Sequence, residues 1–454
     1  MYTSIDLFSG PGGLCTGLKA NNIKPLIAIE MSDWTVETYR ASHDADILRL
    51  DEYLENPNSQ IDAFKENDKT LLIHGDITKV DNNLIDLILT KRFNVQSVDL
   101  VTGGAPCESF SLAGQRREDD ERNNLFLNLE RIAKHVNAKM LLFENVKGLL
   151  SKPVNGVKGA MYQLICDELE KPNDEGVAFK LASRDPDSVL LKAVDYGVPQ
   201  NRERIILVGI NTNYDATFNY PEKTHGENRK FPYVTVKDAI MDLPQVESKE
   251  GSEEIPHPLD QFIENEEFPP KRINYLKYVS GEVFKTPQHL SNKIGTVNSH
   301  IGPGHTDKMI TRFSNILPGE GMKKAAERLL AEGKENLLKE VFPKKLYAAR
   351  NRRLILNEPS FTVTSHCLDE MIHPTLNRSI TPREAARLQS FPDWYQFKGP
   401  YVKFHSNPEQ DRYEQIGDAI PPILGYVLGI EIVKTMQQIQ QSLSDQSNNR
   451  FQYN

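Results

Sequence analysis

The sequence predicts an α/β protein, a doubly wound and mostly parallel sheet covered by helices, accompanied by a smaller irregular domain. Three observations predict it. Through roughly the first 210 residues, short apolar runs alternate with amphipathic stretches of helix length, the pattern of parallel strands joined by helical crossovers. A glycine-rich turn, Ser9-Gly-Pro-Gly-Gly13, follows the first apolar run and opens a helix-length segment. From about residue 211 to 375 the alternation stops, and the chain becomes rich in Pro, Asn, Glu and Lys.

In chain order, the predicted strands are residues 4–8, 26–30, 71–74, 99–103, 140–144, 189–194 and 205–209. Helices are predicted at 34–41, 125–136 and 160–169. Ligands of such sheets bind at the carboxyl ends of the strands, so chemistry is sought just after each run. Near the end, residues 382–388 (PREAARL) predict a helix with Pro at its first turn, and 420–437 an apolar helix; the polar tail beyond is expected to fray. The expected division is a catalytic domain over 1–212, a second domain over 213–405 and a return segment over 406–454 that completes the first.

With 39% hydrophobic and 26% charged residues, the 454-residue chain can bury a sizeable core, which excludes disorder as its main state. Its N-terminus, MYTSIDLF, lacks the basic and apolar stretches of a signal peptide, and no apolar run approaches 18 residues, so a cytoplasmic protein with no membrane span is expected. Cys15, Cys107, Cys166 and Cys367 are far apart, with no CxxC pair and no histidines at metal spacing, which argues against a metal site and a disulfide scaffold. The net charge of −9 ranks nucleic acid low as a partner. The charge is segregated, however. Residues 238–267 hold 10 acids and 1 base, whereas 271–353 hold 17 bases and 7 acids. That basic stretch is either a solvated face or a surface for a polyanion, masked in the total by its acidic neighbour.

Phe8, Gly10, Gly12 and Gly13 form the first turn, and Glu30 ends the next strand, near the spacing at which an acid takes ribose hydroxyls. The pattern departs from GxGxxG, whose glycines make room for a pyrophosphate, and suits a nucleoside without one; a plain tight turn is the alternative. Asp76 and Ile77 can serve the amine and ring of adenine, or Asp76 can simply cap a helix. Cys107 sits in a Gly and Pro turn past a strand end, where a thiol faces a cleft, unless it is only a small hydrophobe. Glu144 closes the very apolar strand 140–144, where poor solvation raises a carboxyl's pKa and makes it a proton donor, the alternative being a solvated loop acid. Arg202 and Arg204 would point the same way from extended backbone and favour a nearby thiolate, or pair with Glu203.

Taken in order, DLFSGPGG, PCESFS, FENV, QNRERIILVG, RSITPREAARLQSFPDWY and YEQIGDAIPP resemble the successive signatures of the cytosine-5 DNA methyltransferases and sample nearly the whole chain. The resemblance implies a Rossmann-like fold that binds S-adenosylmethionine (SAM), with double-stranded DNA as substrate. It implies Phe8, Gly10, Gly12, Gly13, Glu30, Met31, Asp76, Ile77 and Leu125 at the cofactor, Cys107 as nucleophile, Glu144 as the acid on the base, and Arg202 and Arg204 as supporting arginines. Ser111 and Thr364 fall at positions implied to meet DNA, and the catalytic loop would run through Arg116, Arg117 and Asn123. The stretch before PREAAR is implied to read the target sequence, so the basic excess there reverses the low rank of nucleic acid. A cognate restriction endonuclease is an implied partner by family habit, and nucleoid association an implied location in a prokaryote. Departures are Glu108 for the usual Gln, Met31 for an aromatic residue, Ser365 for Leu and Asp418 for Asn. A tRNA cytosine methyltransferase, an inactive binding protein of this fold and a nucleotide-dependent oxidoreductase are the competing readings. The first lacks its Cys-Phe-Thr tripeptide, and the last leaves the PC, ENV and QNRER segments unexplained.

Overall fold

Strand β1 (Tyr2–Leu7) buries its last four residues in succession, as a strand covered on both faces must. The computed structural model describes residues 1–105, 125–257, 259, 269–403 and 409–452. They form two compact units. The first comprises Met1–Lys192, Glu203–Glu222 and Leu424–Asn454, the second Ala193–Arg202 and Lys223–Ile423.

The first unit is built on a nine-stranded sheet. After β1 come β2 (Ile23–Glu30), β3 (Asp46–Arg49), β4 (Leu71–His74), β5 (Leu100–Gly103), β6 (Met140–Val146), β7 (Phe179–Leu181), β8 (Leu190–Lys192) and β9 (Glu203–Asn211). Their order is β3-β4-β2-β1-β5-β6-β9-β7, with β8 paired to β9. Pairings among β1 to β6 are parallel, and those of β9 with β6, β7 and β8 are antiparallel. Chain order reverses between β1 and β5, which places the ligand crevice of an open α/β sheet at their carboxyl ends.

The helices α1 (Gly13–Lys19), α2 (Asp33–His43), α3 (Leu50–Glu55), α4 (Asn82–Arg92), α5 (Phe126–His135) and α6 (Ala160–Glu170) follow the crossovers. β4 has the predicted limits, whereas β3 and β7 were not anticipated. Each is a short strand at a sheet edge that mixes charged and apolar residues, so neither stands out as an apolar run. β8 ends at Lys192 rather than Val194 because Ala193–Tyr196 turns into a single 3-10 turn.

The C-terminal helix, Pro422–Gln452, continues well beyond the predicted limit and takes in most of the polar tail. Extending a helix that already exists costs far less than starting one. The stretch Arg412–Asp445 contains an 18-residue window apolar enough to cross a membrane, but 61% of that window is buried. Leu424, Leu428, Ile432, Met436 and Ile439 make a helical stripe facing the core. Gly425 permits the close approach to α1, since a Cβ there would lie 2.8 Å from the Leu14 carbonyl oxygen.

The second unit carries an antiparallel pair, β10 (Gly251–Pro256) with β11 (Thr296–Ile301), and a two-residue parallel pair, β12 (Arg352–Arg353) with β13 (Met371–Ile372). The PREAARL helix forms at Pro382–Leu388 as predicted, opened by Pro and a Thr381–Glu384 capping box. Its two arginines, and Arg378 just before it, are structural. Arg378 holds Glu384 through two bonds of 2.7 and 2.8 Å, Arg383 donates to Asn298, Pro392 and Tyr395, and Arg387 pairs with Asp242 and Asp393.

Three buried histidines line this network. The His305 Nε2 accepts the Ser379 N–H, and the His373 Nδ1 accepts those of Thr375 and Leu376. Burial lowers His305 and His373 from 6.5 to about 4, with Arg378 adding to the effect at both and Glu384 opposing it at His373. Burial lowers His300 in the same direction. Groups held below their unfolded values contribute stability that is complete above about pH 6.5 and lost as pH falls towards 4. The urea midpoint is therefore expected to fall steadily between pH 6.5 and 4, and a flat profile would show that these rings do not couple to folding.

Candidate active site

The carboxyl ends of β1, β2 and β4 assemble one half of the site in the first unit. β1 runs into a turn in which Phe8 has φ 54°, Gly10 55° and Gly12 96°. A left-handed phenylalanine costs about 1–3 kcal/mol and persists where surrounding structure imposes it. Gly12 then caps α1, whose first residue is Gly13. Glu30 organises the turn from the neighbouring strand. One carboxylate oxygen accepts the Gly10 N–H at 3.0 Å, and the other accepts those of Met31 and Ser32 at 2.8 and 3.0 Å. Burial raises the Glu30 carboxyl above its usual value, while these three donors and His74 act against it.

Beneath the turn lies Asp6, 4% exposed, which accepts the Thr102 hydroxyl at 2.6 Å through one oxygen. Its second oxygen and the Ser9 hydroxyl are buried and have no hydrogen-bond partner among the described residues. Burial pushes the Asp6 carboxyl up to about 7, with Thr102 opposing and Glu30 adding. Sequence reasoning missed both residues, although Asp6 and Ser9 lie within the quoted DLFSGPGG segment. At the end of β4, Asp76 caps the following turn by accepting the Thr78 N–H at 2.9 Å, and Ile77 is buried. The Gly75 N–H donates to the Glu30 carbonyl at 2.9 Å, linking this turn to β2. Met31 is 68% exposed beside Glu30, and Leu125 precedes α5, half-buried against the main core.

The other half lies at β5, β6 and β9. Glu144, near the end of β6, is paired with the Arg204 guanidinium at 2.8 Å, each side chain 11% exposed. Antiparallel register explains the pairing. Arg204 lies opposite Val146, so Glu144 is its diagonal neighbour on the same face. Gly104 backs the carboxylate, and a Cβ there would lie 2.8 Å from Oε2. Asn145 donates to the Ala105 carbonyl at 3.3 Å and fixes the backbone entering residue 106. Gly104 and Asn145 were legible only as parts of turn and strand signatures.

Arg202 and Arg204 take different partners. Arg204 belongs to β9 and to Glu144. Arg202 precedes the strand, belongs to the second unit and is 1% exposed, donating to the carbonyls of Val363, Gly417 and Ala419 at 2.8, 2.9 and 2.9 Å. It ties two loops of that unit together. The Glu203 carboxylate pairs with Lys147 at 2.9 Å, while its backbone carbonyl accepts the Arg204 guanidinium at 2.9 Å. Thr364, also in the second unit, donates to Glu370 at 2.8 Å and accepts the His366 N–H. Cys107 and Ser111, with Arg116, Arg117 and Asn123, lie outside the described residues. Of the remaining cysteines, Cys15, Cys166 and Cys367 are buried, and burial pushes the first two thiols up to about 12 and 11.

Comparison with known proteins identifies the family and the fold. The family model for C-5 cytosine-specific DNA methylase matches residues 2–53 and 53–434. The chain is 30% identical to the Type II methyltransferase M.DdeI of Desulfomicrobium norvegicum, over 94% of this chain and 88% of that one. It is 28% identical to the Type II methyltransferase M.AgeI of Thalassovita gelatinovora, over 93% and 97%. A crystal structure of a DNA modification methyltransferase encoded within an E. coli prophage shares the fold at a TM-score of 0.66 and 20% identity, covering 96% of this chain and all of that one. The chain belongs to the C-5 cytosine-specific DNA methylase family and is a DNA (cytosine-5-)-methyltransferase.

Proposed function

We propose that the enzyme methylates a cytosine flipped out of a specific duplex sequence, using SAM as donor and Cys107 as a transient covalent nucleophile. The observation that carries this reading is the largely buried Glu144–Arg204 pair at the end of β6, on the same sheet as the glycine turn. A base that pairs its N3 edge with a carboxyl needs that carboxyl held in place; Arg204 holds it, and the bare Gly104 leaves it room.

The turn fits SAM. Glu30 would take the ribose hydroxyls, Asp76 the adenine amine, and Ile77, Met31, Phe8 and Leu125 the apolar surfaces, with Gly10, Gly12 and Gly13 shaping the turn. The unpartnered oxygens of Asp6 and Ser9 suit the amino group at the amino-acid end. When bound, SAM supplies an electrophilic methyl group on a sulfonium. Cytosine carbon 5 is a poor nucleophile until the Cys107 sulfur bonds to carbon 6, with Glu144 binding nitrogen 3 and the exocyclic amine. Carbon 5 is then enamine-like and forms its bond to the methyl group as the methyl's bond to the sulfonium sulfur breaks, leaving neutral S-adenosylhomocysteine. Loss of the carbon 5 proton and cleavage of the sulfur–carbon 6 bond restore the aromatic ring and the thiolate. Flipping the base costs a few kcal/mol, met by protein contacts with the distorted duplex; Ser111 and Thr364 are proposed among them. The Type II names of the relatives support a role as the modification partner of a restriction endonuclease with the same site.

Bisulfite sequencing of unmethylated genomic DNA incubated with the protein and SAM tests the reading. Protected cytosines are expected at one position of one recurring sequence. Full conversion of every cytosine would refute it.

A further inference from the structure

Residues 342–353 of the second unit, FPKKLYAARNRR, hold five bases and no acid. Both ends of this segment are buried and fixed. Val341 and Phe342 sit in a small core with Phe313, Ile316, Met322 and Leu329, and Leu346 packs on it from within the segment. At the other end, the Arg353 guanidinium donates to the carbonyls of Phe313, Ile316, His373 and Leu376 and to the Asn377 side chain. Asn351 doubly engages the Asp369 carbonyl at 2.9 Å.

Between these anchors the chain is exposed and has no regular structure. Lys344 and Lys345 are exposed and make no ion pair among the described residues. Tyr347 is 44% exposed, with the Lys345 ammonium 4.9 Å and the Arg350 guanidinium 5.1 Å from its ring centroid. Arg350 has one distant acid, Asp369 at 3.6 Å. Two exposed lysines of the adjoining helix Met322–Ala331, Lys323 and Lys324, extend the charge; the helix start is tied to the segment through the Met322 N–H and the Arg350 carbonyl. A solvated loop gains little from holding an aromatic ring in water between two cations of which only Arg350 faces an acid. A duplex offers all of them partners, phosphates for the cations and base edges for the ring.

We propose that the segment 343–350 is a DNA-reading element, with Lys344, Lys345 and Arg350 on phosphates and Tyr347 on base edges of the recognised sequence. The inference rests on the DNA-methylating activity and names the surface that selects its target.

The test measures duplex binding against salt, and methylation of genomic DNA, for the full-length protein. Replacing both lysines (K344A/K345A) is expected to lower the slope of log affinity against log salt by about two, at about 0.9 per phosphate contact. Tyr347→Ala is expected to lower kcat/KM for DNA about tenfold and to broaden the set of protected sequences, leaving KM for SAM and the melting temperature unchanged. Lys91→Ala, on an exposed face of the first unit, should behave as wild type in every measurement. If wild type methylates DNA while Tyr347→Ala and the double variant match it in slope and target choice, this assignment fails and the activity stands. If wild type transfers no methyl group, the proposed function itself fails.

Discussion

Cys107→Ser is expected to reduce methyl transfer by about 10⁴-fold or more while SAM binding stays within about twofold of wild type. A serine hydroxyl is scarcely ionised near neutral pH and attacks carbon 6 far more slowly than a thiolate. No other cysteine can substitute, because Cys15, Cys166 and Cys367 are buried, and burial raises each thiol well above its ordinary value. Cofactor binding should survive, since the residues proposed for it stand at the ends of β1, β2 and β4 and at Leu125. Tritiated methyl transfer and calorimetric titration with S-adenosylhomocysteine separate the two effects. Equal loss of both would make Cys107 a structural residue.

Glu144→Gln is expected to lower kcat by about 10²–10⁴-fold, the usual contribution of a positioned acid–base group. Two effects add. The amide cannot lend a proton to nitrogen 3 as a carboxyl can, and it leaves the Arg204 guanidinium without its counter-charge at a site where both side chains are 11% exposed. Breaking a buried pair by removing one partner costs about 3–5 kcal/mol, so the melting temperature should fall as well. Arg204→Lys separates these contributions. It retains the charge but loses the guanidinium fork, and is expected to recover stability relative to Glu144→Gln while remaining slow. A Glu144→Gln enzyme with undiminished kcat would remove the carboxyl from the chemistry.

Where one physical cause dominated, the fold was legible. β4 was found at residues 71–74 because three apolar residues, Leu71, Leu72 and Ile73, stand between polar ones, and the helix Pro382–Leu388 because Pro marks its first turn. β3 and β7 escaped because edge strands pair on one side and tolerate charge. The divergence of Arg202 and Arg204 was hidden for a different reason. Alternation along a strand governs side chains only inside the strand, and β9 starts at Glu203, so Arg202 follows the loop geometry of the second unit. The Glu144–Arg204 pair depends on the antiparallel register of β6 and β9, which no local pattern encodes. The role of the PREAARL arginines was equally invisible. Arg383 and Arg387, with Arg378 just before the helix, are each wholly buried and take partners from far along the chain, Asn298, Asp242 and the Val246 carbonyl.

The proposed mechanism turns on a covalent bond between Cys107 and cytosine carbon 6. A duplex carrying the methylated sequence with 5-fluorocytosine at the target tests it most directly, because fluorine at carbon 5 cannot leave as a proton does and the adduct has no route to elimination. With SAM present, the wild-type enzyme is predicted to form a complex with this duplex that survives denaturing electrophoresis, with Cys107 as the attached residue by mass spectrometry. Methylation of the unfluorinated duplex with no such complex, or a complex formed through any other residue, would contradict the account.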